Sequence, residues 1–403
     1  MIHISTSFAL LVVAIIILVC IAGSRLSGRL GVPTLFIFIM LGMLFGSDGI
    51  FKIPFGNFAL AEQVCSVALI FIMFYGGFGT RWSEAKPVAG RSILLSSAGV
   101  VLTAFLTGLF CHLVLKMALM EGMLLGAVLG STDAASVFSI LRSRKLNLKY
   151  GTASMLELES GSNDPFAYMM TVILLSAMTG SVSGGSAVLL LIRQLAFGLL
   201  TGAAVAWLVT WLLKRYAFYG EGFDTIFVFA AAIISYALAS QIGGNGYLSV
   251  YLTGIILGNQ ELKNQKALVG FFDAFTGMMQ MLLFFLLGLL AFPSQMPSIV
   301  LPAIAIALFL TFVARPAAVG LLLAPSKPPI GQYLVISWAG LRGAASIVFA
   351  IMATLSEGYM KYDIFHIVFC VVLFSIIFQG SLLPKVAEKC DMIDNSTDVM
   401  QAD

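Results

Sequence analysis

The chain has 403 residues, enough for two or three soluble domains, yet 60% of them are hydrophobic and only 10% charged, with a mean hydropathy of +1.02. Soluble domains carry about 45–50% apolar and about 25% charged residues, so this composition cannot cover a water-facing surface. A net charge of +3 is too small to point to nucleic acid, and apolar runs of about 20 residues mark a polytopic, all-α membrane protein.

In chain order, cuts at Gly, Pro and charge clusters leave about thirteen apolar segments. Their cores are 7–23, 32–47, 60–78, 92–115, 122–141, 153–178, 185–213, 223–241, 246–258, 268–292, 297–324, 330–356 and 364–384. The first has no basic run ahead of it and reads as a retained span, not a cleaved signal peptide. The second holds Gly42 and Gly46, a GxxxG that permits close helix packing or a dimer contact. The seventh and eleventh are long enough to tilt or bend. Loops after odd-numbered segments hold Arg25 and Arg29; Arg81, Lys86 and Arg91; Arg142, Arg144, Lys145 and Lys149; Lys214 and Arg215; Lys263 and Lys266; Lys327; and Lys385 and Lys389. Alternate loops offer Lys52, Lys116 and Lys361, with Arg193 near the start of the seventh segment. The positive-inside rule then puts the N-terminus outside and the C-terminus in the cytoplasm of a multi-pass cell-membrane protein.

An ionisable residue inside the membrane costs at least about 2.5–3.5 kcal/mol on insertion scales, so each needs a reason. Asp133, Glu159, Asp164 and Arg342 stand at that depth. The fifth segment combines Gly126 and Gly130 with Ser131, Thr132 and Asp133, and the twelfth runs Gly340, Leu341, Arg342, Gly343, Ala344, Ala345, Ser346. Glycine beside an ionisable residue in the fifth member of each half predicts broken helices at a binding site, within two inverted six-helix repeats around segment seven. Two glycine-rich packing helices are the plainer alternative.

In the sixth segment Ser160 and Asp164 share one helix face, and Glu159 and Asn163 the adjacent one. Carboxylate, hydroxyl and amide oxygens are hard donors suited to a small cation. Desolvation disfavours the charged form of a buried carboxylate, so Asp164 can hold a proton or a monovalent cation in turn; a purely structural hydrogen bond or salt bridge is the alternative. Glu159 and Arg342, opposite charges in opposite repeats, are expected to pair, because a stranded partner costs about 3–5 kcal/mol. Asp133 is expected to face the positive end of a half-helix, with the Thr132 carbonyl toward the ion. Glu157 reads as a solvated vestibule residue. Arg315, before Pro316, reads as a structural or lipid-facing group at the cytoplasmic end of a kinked span, and Glu62, Glu357 and Asp363 as interfacial.

Cys20, Cys65, Cys111, Cys370 and Cys390 show no paired spacing, and His3, His112 and His366 are scattered, so no disulfide, zinc site or enzyme centre is expected. No cofactor is called for. A cation channel would need a filter loop of backbone carbonyls, an intramembrane aspartyl protease a dyad of Asp133 and Asp164, and a proton-coupled solute symporter a pocket for an organic molecule.

Gly130-Ser131-Thr132-Asp133-Ala134-Ala135, Glu159-Ser160-Gly161-Ser162-Asn163-Asp164 and Gly340-Leu341-Arg342-Gly343-Ala344 together resemble signatures of the monovalent cation–proton antiporters, in the NhaP-like sodium–proton exchanger branch. Gly246-Tyr247-Leu248 through Gly254, Leu257-Gly258-Asn259, and Phe378-Gln379-Gly380 are weaker matches. The resemblance implies exchange of Na+ or K+ for H+, electroneutral because Asn163 precedes Asp164. Asp164, Ser160 and the Thr132 carbonyl would hold the ion, with Asn163 beside them, Asp133 at the crossing of unwound helices, and Glu159 paired with Arg342. It further implies a homodimer with dimerisation-domain helices in 1–90 and 223–296, core-domain helices in 91–180 and 297–384, a linker helix in 181–222 and a cytoplasmic tail, 385–403. One departure is Phe74-Tyr75-Gly76-Gly77-Phe78, where relatives often have an acidic residue. Several relatives also carry a soluble regulatory domain after the last span, whereas nineteen residues, among them Asp391, Asp394, Asp398 and Asp403, follow Pro384. Regulation then lies in the membrane part, or the sequence is truncated.

Overall fold

The computed structural model describes residues 6–30, 32–133, 136–137, 140–141, 146–181, 184–216, 222–262, 264–356 and 360–394. His3, Ala134, Ala135, Arg142, Arg144, Lys145, Lys263, Glu357, Asp398 and Asp403, which enter the reading above, lie outside the described residues, as does the side chain of Arg29. The described chain is helical apart from one antiparallel bridge between Leu148 and Ile393.

The helices are α1 (Thr6–Leu30), α2 (Thr34–Phe45), α3 (Phe58–Gly79), α4 (Ala89–Leu113), α5 (Leu119–Val128), α6 (Thr152–Met178) and α7 (Gly184–Arg215). They continue as α8 (Phe223–Gln241), α9 (Gly246–Gly258), α10 (Gln265–Leu290), α11 (Val300–Ser326), α12 (Ile330–Trp338), α13 (Ala344–Leu355) and α14 (Ile364–Lys389). Eight of these, α1, α3, α4, α7, α8, α10, α11 and α14, are long and apolar enough to cross a membrane, and the protein is a multi-pass membrane protein. α6 is just as long, but its three acids and its hydroxyls suit it to the protein interior, where Glu159, Ser160, Asn163 and Asp164 are buried.

The fifth and twelfth apolar segments are both interrupted. α5 ends at Val128, 131–133 run without helical bonding, and helix resumes by 136; the chain is likewise non-helical between α12 and α13. The two breaks meet, with the Asp133 N–H donating to the Leu341 carbonyl at 2.8 Å. Exposed polar backbone of this kind is tolerated at membrane depth only where protein or a water-filled cavity covers it.

Three long helices widen into π turns, α4 at Leu95–Gly99, α11 at Leu310–Ala314 and α14 at Ser375–Gly380. The turn in α11 lies just before Pro316, which has no N–H to give to the preceding turn. The extra residue in a π turn rotates every side chain beyond it. In α6, Pro165 likewise leaves the ladder short, and Asn245, which caps α9 by accepting from Leu248 N at 3.0 Å, donates to the Pro165 carbonyl at 2.9 Å.

The GxxxG of α2 is used within the chain. A Cβ on Gly42 would lie 2.1 Å from the Phe285 carbonyl oxygen, and one on Gly288 2.2 Å from that of Ile39, so α2 and α10 touch backbone to backbone.

Candidate functional site

The crossing gathers residues that lie far apart in sequence. Asp164 stands twelve residues beyond the start of α6, about 18 Å along it, near the middle of an apolar layer about 30 Å thick. It is 6% exposed, and its Oδ1 accepts a hydrogen bond from the Ser131 hydroxyl. One turn earlier the Ser160 hydroxyl donates to the Thr132 carbonyl at 2.6 Å. Asp164, Ser160 and Thr132 all line one cavity of about 520 Å³, so a carboxylate, a hydroxyl and a carbonyl converge there.

Asn163 is placed differently from the expected ligand. Its Nδ2 donates to Thr132 Oγ1 at 2.5 Å and its Oδ1 accepts from Thr132 N at 3.3 Å. Both polar ends of the amide are taken by Thr132, and Asn163 does not line the cavity. Its contribution is to pin the break on α6.

Asp133 does stand at the crossing. Its carboxylate accepts from Ser136 N at 3.2 Å and Ser136 Oγ at 2.6 Å, capping the helix that resumes there. Its side chain also packs where a Cβ on Gly343 would come within 2.4 Å, at the N-terminus of α13, where a negative charge is favourable.

The expected pair of Glu159 and Arg342 is corrected. Glu159 is paired with Arg315, in a bidentate bridge of 2.5 and 2.9 Å whose side chains are 1% and 6% exposed. Arg315 therefore lies inside the protein and not at a lipid-facing end, because the π turn and Pro316 redirect it. Gly340 admits it, since a Cβ there would sit 3.0 Å from Arg315 Nε. Arg342 serves the break instead. Its Nη1 donates to the Ser131 carbonyl at 3.1 Å and its N–H to Ser375 Oγ at 3.0 Å. Ser375 in turn donates to Gln379 Oε1 at 2.5 Å, which explains why the Phe378-Gln379-Gly380 motif belongs to the site.

Besides Asp133 and Asp164, Glu157 near the start of α6 and Asp273 of α10 line the cavity, and no Lys, Arg or His does among the described residues. The wall opposite α6 comes from the second half of α3 (Leu69 to Gly79) and from Asp273 to Gln280 of α10. Such a chamber favours a cation over an anion, and its inner end offers three oxygens of the kind that replace a hydration shell. Sequence spacing had missed Ser131, Arg315, Asp273 and Ser375. Ser131 carried a signal as the hydroxyl beside Thr132 in the break, and Asp273 and Arg315 as charges inside the apolar segments 268–292 and 297–324.

Comparison with known proteins is consistent along the chain. The family model described as sodium/hydrogen exchanger, transmembrane, matches residues 13–389. The K(+)/H(+) antiporter NhaP of Alkalimonas amylolytica is 36% identical over 382 residues, covering 94% of this chain and 66% of that protein. The K(+)/H(+) antiporter NhaP2 of Shewanella oneidensis is 36% identical over 383 residues with the same coverage. The chain thus spans 66% of the length of these relatives. The probable Na(+)/H(+) antiporter 2 of Methanocaldococcus jannaschii is 24% identical over 349 residues, 82% of this chain and 80% of that one. The solved structure of the sodium proton antiporter MjNhaP1 from the same organism, at pH 8, superposes with a TM-score of 0.82 at 23% identity, over 95% of this chain and 99% of that one, a likeness of fold.

Proposed function

This chain belongs to the sodium/hydrogen exchanger family, and from that premise we propose that it exchanges Na+ or K+ for H+ across the membrane by alternating access, the two ions competing for Asp164. The observation that carries the reading is the cavity lined by carboxylates, and by no Lys, Arg or His among the described residues, which Asp164, Ser160 and Thr132 share. Those three groups hold the ion, while Asn163 and Asp133 fix the broken helices around it. The cations are cargo, and the reading needs no cofactor. The relatives at 36% identity are named for potassium, which puts K+ first.

Charge balance supports one-for-one exchange. At the crossing, Asp133, Glu159 and Asp164 face Arg315 and Arg342, three negative groups against two positive. One proton or one monovalent cation restores neutrality, and each is a substitute for the other. Arg81 and Lys86 follow α3, Arg91 stands in the first turn of α4 and Lys149 precedes α6, and Gly76 and Gly79 at that end of α3 line the cavity, so by the positive-inside rule we read this side as cytoplasmic and the state as inward-facing. The same rule leaves the N-terminus outside, in the cell membrane. We read helices in 1–90 and 223–296 as the scaffold of a homodimer, helices in 91–180 and 297–384 as the mobile core, 181–222 as the linker and 385–403 as the cytoplasmic tail.

The test is cation-driven proton movement in proteoliposomes across lithium, sodium, potassium and rubidium. Asp164→Asn is expected to abolish exchange with every cation, and an imposed membrane potential to leave the wild-type rate unchanged. Exchange retained by Asp164→Asn would sink the site assignment.

A further inference from the structure

At the end of the molecule away from the cytoplasmic loops stands a histidine with both ring nitrogens engaged. α10 ends at Leu290, and the chain turns through Pro293–Ser298 before α11 begins at Val300. Within that connection the Phe292 N–H donates to Nε2 of His366, in the first turn of α14, at 3.1 Å. A backbone N–H can only donate, so Nε2 carries no proton, and Nδ1 gives its own to Asp363 Oδ2 at 2.6 Å. Asp363 Oδ1 also accepts from His366 N at 3.1 Å, so one carboxylate caps α14 and fixes the ring. His366 and Asp363 line a cavity of about 410 Å³ shared with Phe58, Phe292, Gln295 and Tyr362, which gives a proton from outside a way to the ring.

Charges meet this ring from three sides. Asp363 lies on its own helix. Asp48, in the loop after α2, acts on it electrostatically and takes Ser294 N and Oγ at 3.0 and 2.5 Å. Lys361 and Glu121 stand across the segment before α14, where Glu121 Oε1 accepts from Lys361 N and Tyr362 N at 2.8 and 2.9 Å. Asp48 thus fixes the connection to the α2 side. The bond from Phe292 to His366 is the one hydrogen bond, among the described residues, that joins the connection to α14.

Histidine changes charge between about pH 5 and 8. A protonated imidazole has two donors and no acceptor, so its Nε2–H would oppose the Phe292 N–H. The bond to Asp363 becomes charge-assisted and stronger, which keeps the ring in place. Protonation therefore breaks the tie to Phe292 and spares the other.

Resting on the division into scaffold (to 296) and core (from 297) read above, we propose that His366 is a proton-operated latch between them on the outer face. Neutral, it holds the connection from α10 onto the core helix α14 while the cavity opens to the cytoplasm. Protonated from outside, it releases Phe292 and frees the core to move. External acidity is thereby read at a second place, apart from Asp164.

The experiment follows the Phe292 amide of the full chain in detergent micelles by hydrogen exchange with mass spectrometry, each rate referred to the unstructured peptide at the same pH. Wild-type protection is expected to fall about fivefold between about pH 8 and about pH 5.5. His366→Gln places a non-titrating amide oxygen near the Nε2 position and should stay protected at both pH values. His366→Leu should be unprotected at both. Asp164→Asn should show the wild-type release. Wild-type protection that does not change with pH overturns the latch, and so does a release that disappears in Asp164→Asn. In proteoliposomes with the cytoplasmic-side pH fixed, the same outer acidification should raise the K+/H+ exchange rate of wild type about threefold relative to His366→Gln; equal responses overturn the latch's hold on the core. Exchange kept in Asp164→Asn overturns the transport reading beneath it, whereas the amide alone decides whether the latch opens.

Discussion

Replacing Glu159 by Gln leaves the Arg315 guanidinium, 6% exposed, without its counter-charge. Two charge-assisted hydrogen bonds, 2.5 and 2.9 Å, are weakened or lost, each worth about 1.5–3 kcal/mol. Their sum overlaps the about 3–5 kcal/mol found on breaking a buried pair from one side. Gln can still accept one bond, so the single substitution should fall near the lower end, about 3 kcal/mol. Glu159→Gln with Arg315→Met removes both charges, and a buried pair replaced by neutral groups is often tolerated. The double variant should therefore recover most of the loss, giving a coupling of about 2 kcal/mol or more. The same cycle with Arg342→Met should give less than about 1 kcal/mol, because Arg342 bonds the Ser131 carbonyl and not Glu159. Equilibrium unfolding in mixed detergent micelles, followed by tryptophan fluorescence, reads all three. Stronger coupling of Glu159 to Arg342 than to Arg315 would refute the pairing.

Two further outcomes follow from local geometry. Gly343→Ala drives a Cβ to within 2.4 Å of the Asp133 side chain, so the exchange rate should drop at least about tenfold and stability by about 1–3 kcal/mol; Gly90→Ala, which meets nothing within 4 Å, is the control expected to match wild type in both assays. At the start of α14, burial pushes the Asp363 carboxyl up, but side-chain and backbone hydrogen bonds with His366 outweigh this and hold it below the ordinary carboxylate range. A lowered folded value stabilises above the unfolded pKa of about 3.9 and is lost as the pH falls through the folded value. Asp363→Asn should accordingly melt below wild type at pH 7, with the two drawing together as the pH falls below about 4; a gap that does not narrow on acidification below about pH 4 would contradict the assignment.

What could be read from the sequence was set by periodicity. Ser160 and Asp164 share a helix face by spacing alone, and both line the cavity. Glycine next to Asp133 and Arg342 marked the two breaks, since no uninterrupted apolar helix needs that combination. The partner of Glu159 was out of reach for a physical reason. Spacing assumes about 3.6 residues per turn, and the π turn at Leu310–Ala314 shifts the phase just before Arg315. The π turn at Ser375–Gly380 hides Ser375 and Gln379 in the same way. Asn163 was placed on the correct element, but only the extended course of 131–133 brings Thr132 across both ends of its amide.

The breaks also explain why so many polar residues crowd one place. Unwinding two helices at mid-membrane depth frees N–H and C=O groups that lipid cannot satisfy. Ser160 bonds the Thr132 carbonyl, Asn163 the Thr132 N–H, Arg342 the Ser131 carbonyl, and Ser375 the Arg342 N–H, while Asp133 caps the helix that resumes at Ser136. Glu159 and Arg315 neutralise one another. Most of the signature residues are thus committed to holding the break open. Asp164 bonds a side-chain hydroxyl and no backbone group among the described residues, and it faces the cavity. Among the described residues no basic side chain pairs with Asp164, and in the exchange proposed above it is the group that a proton or an alkali ion would balance.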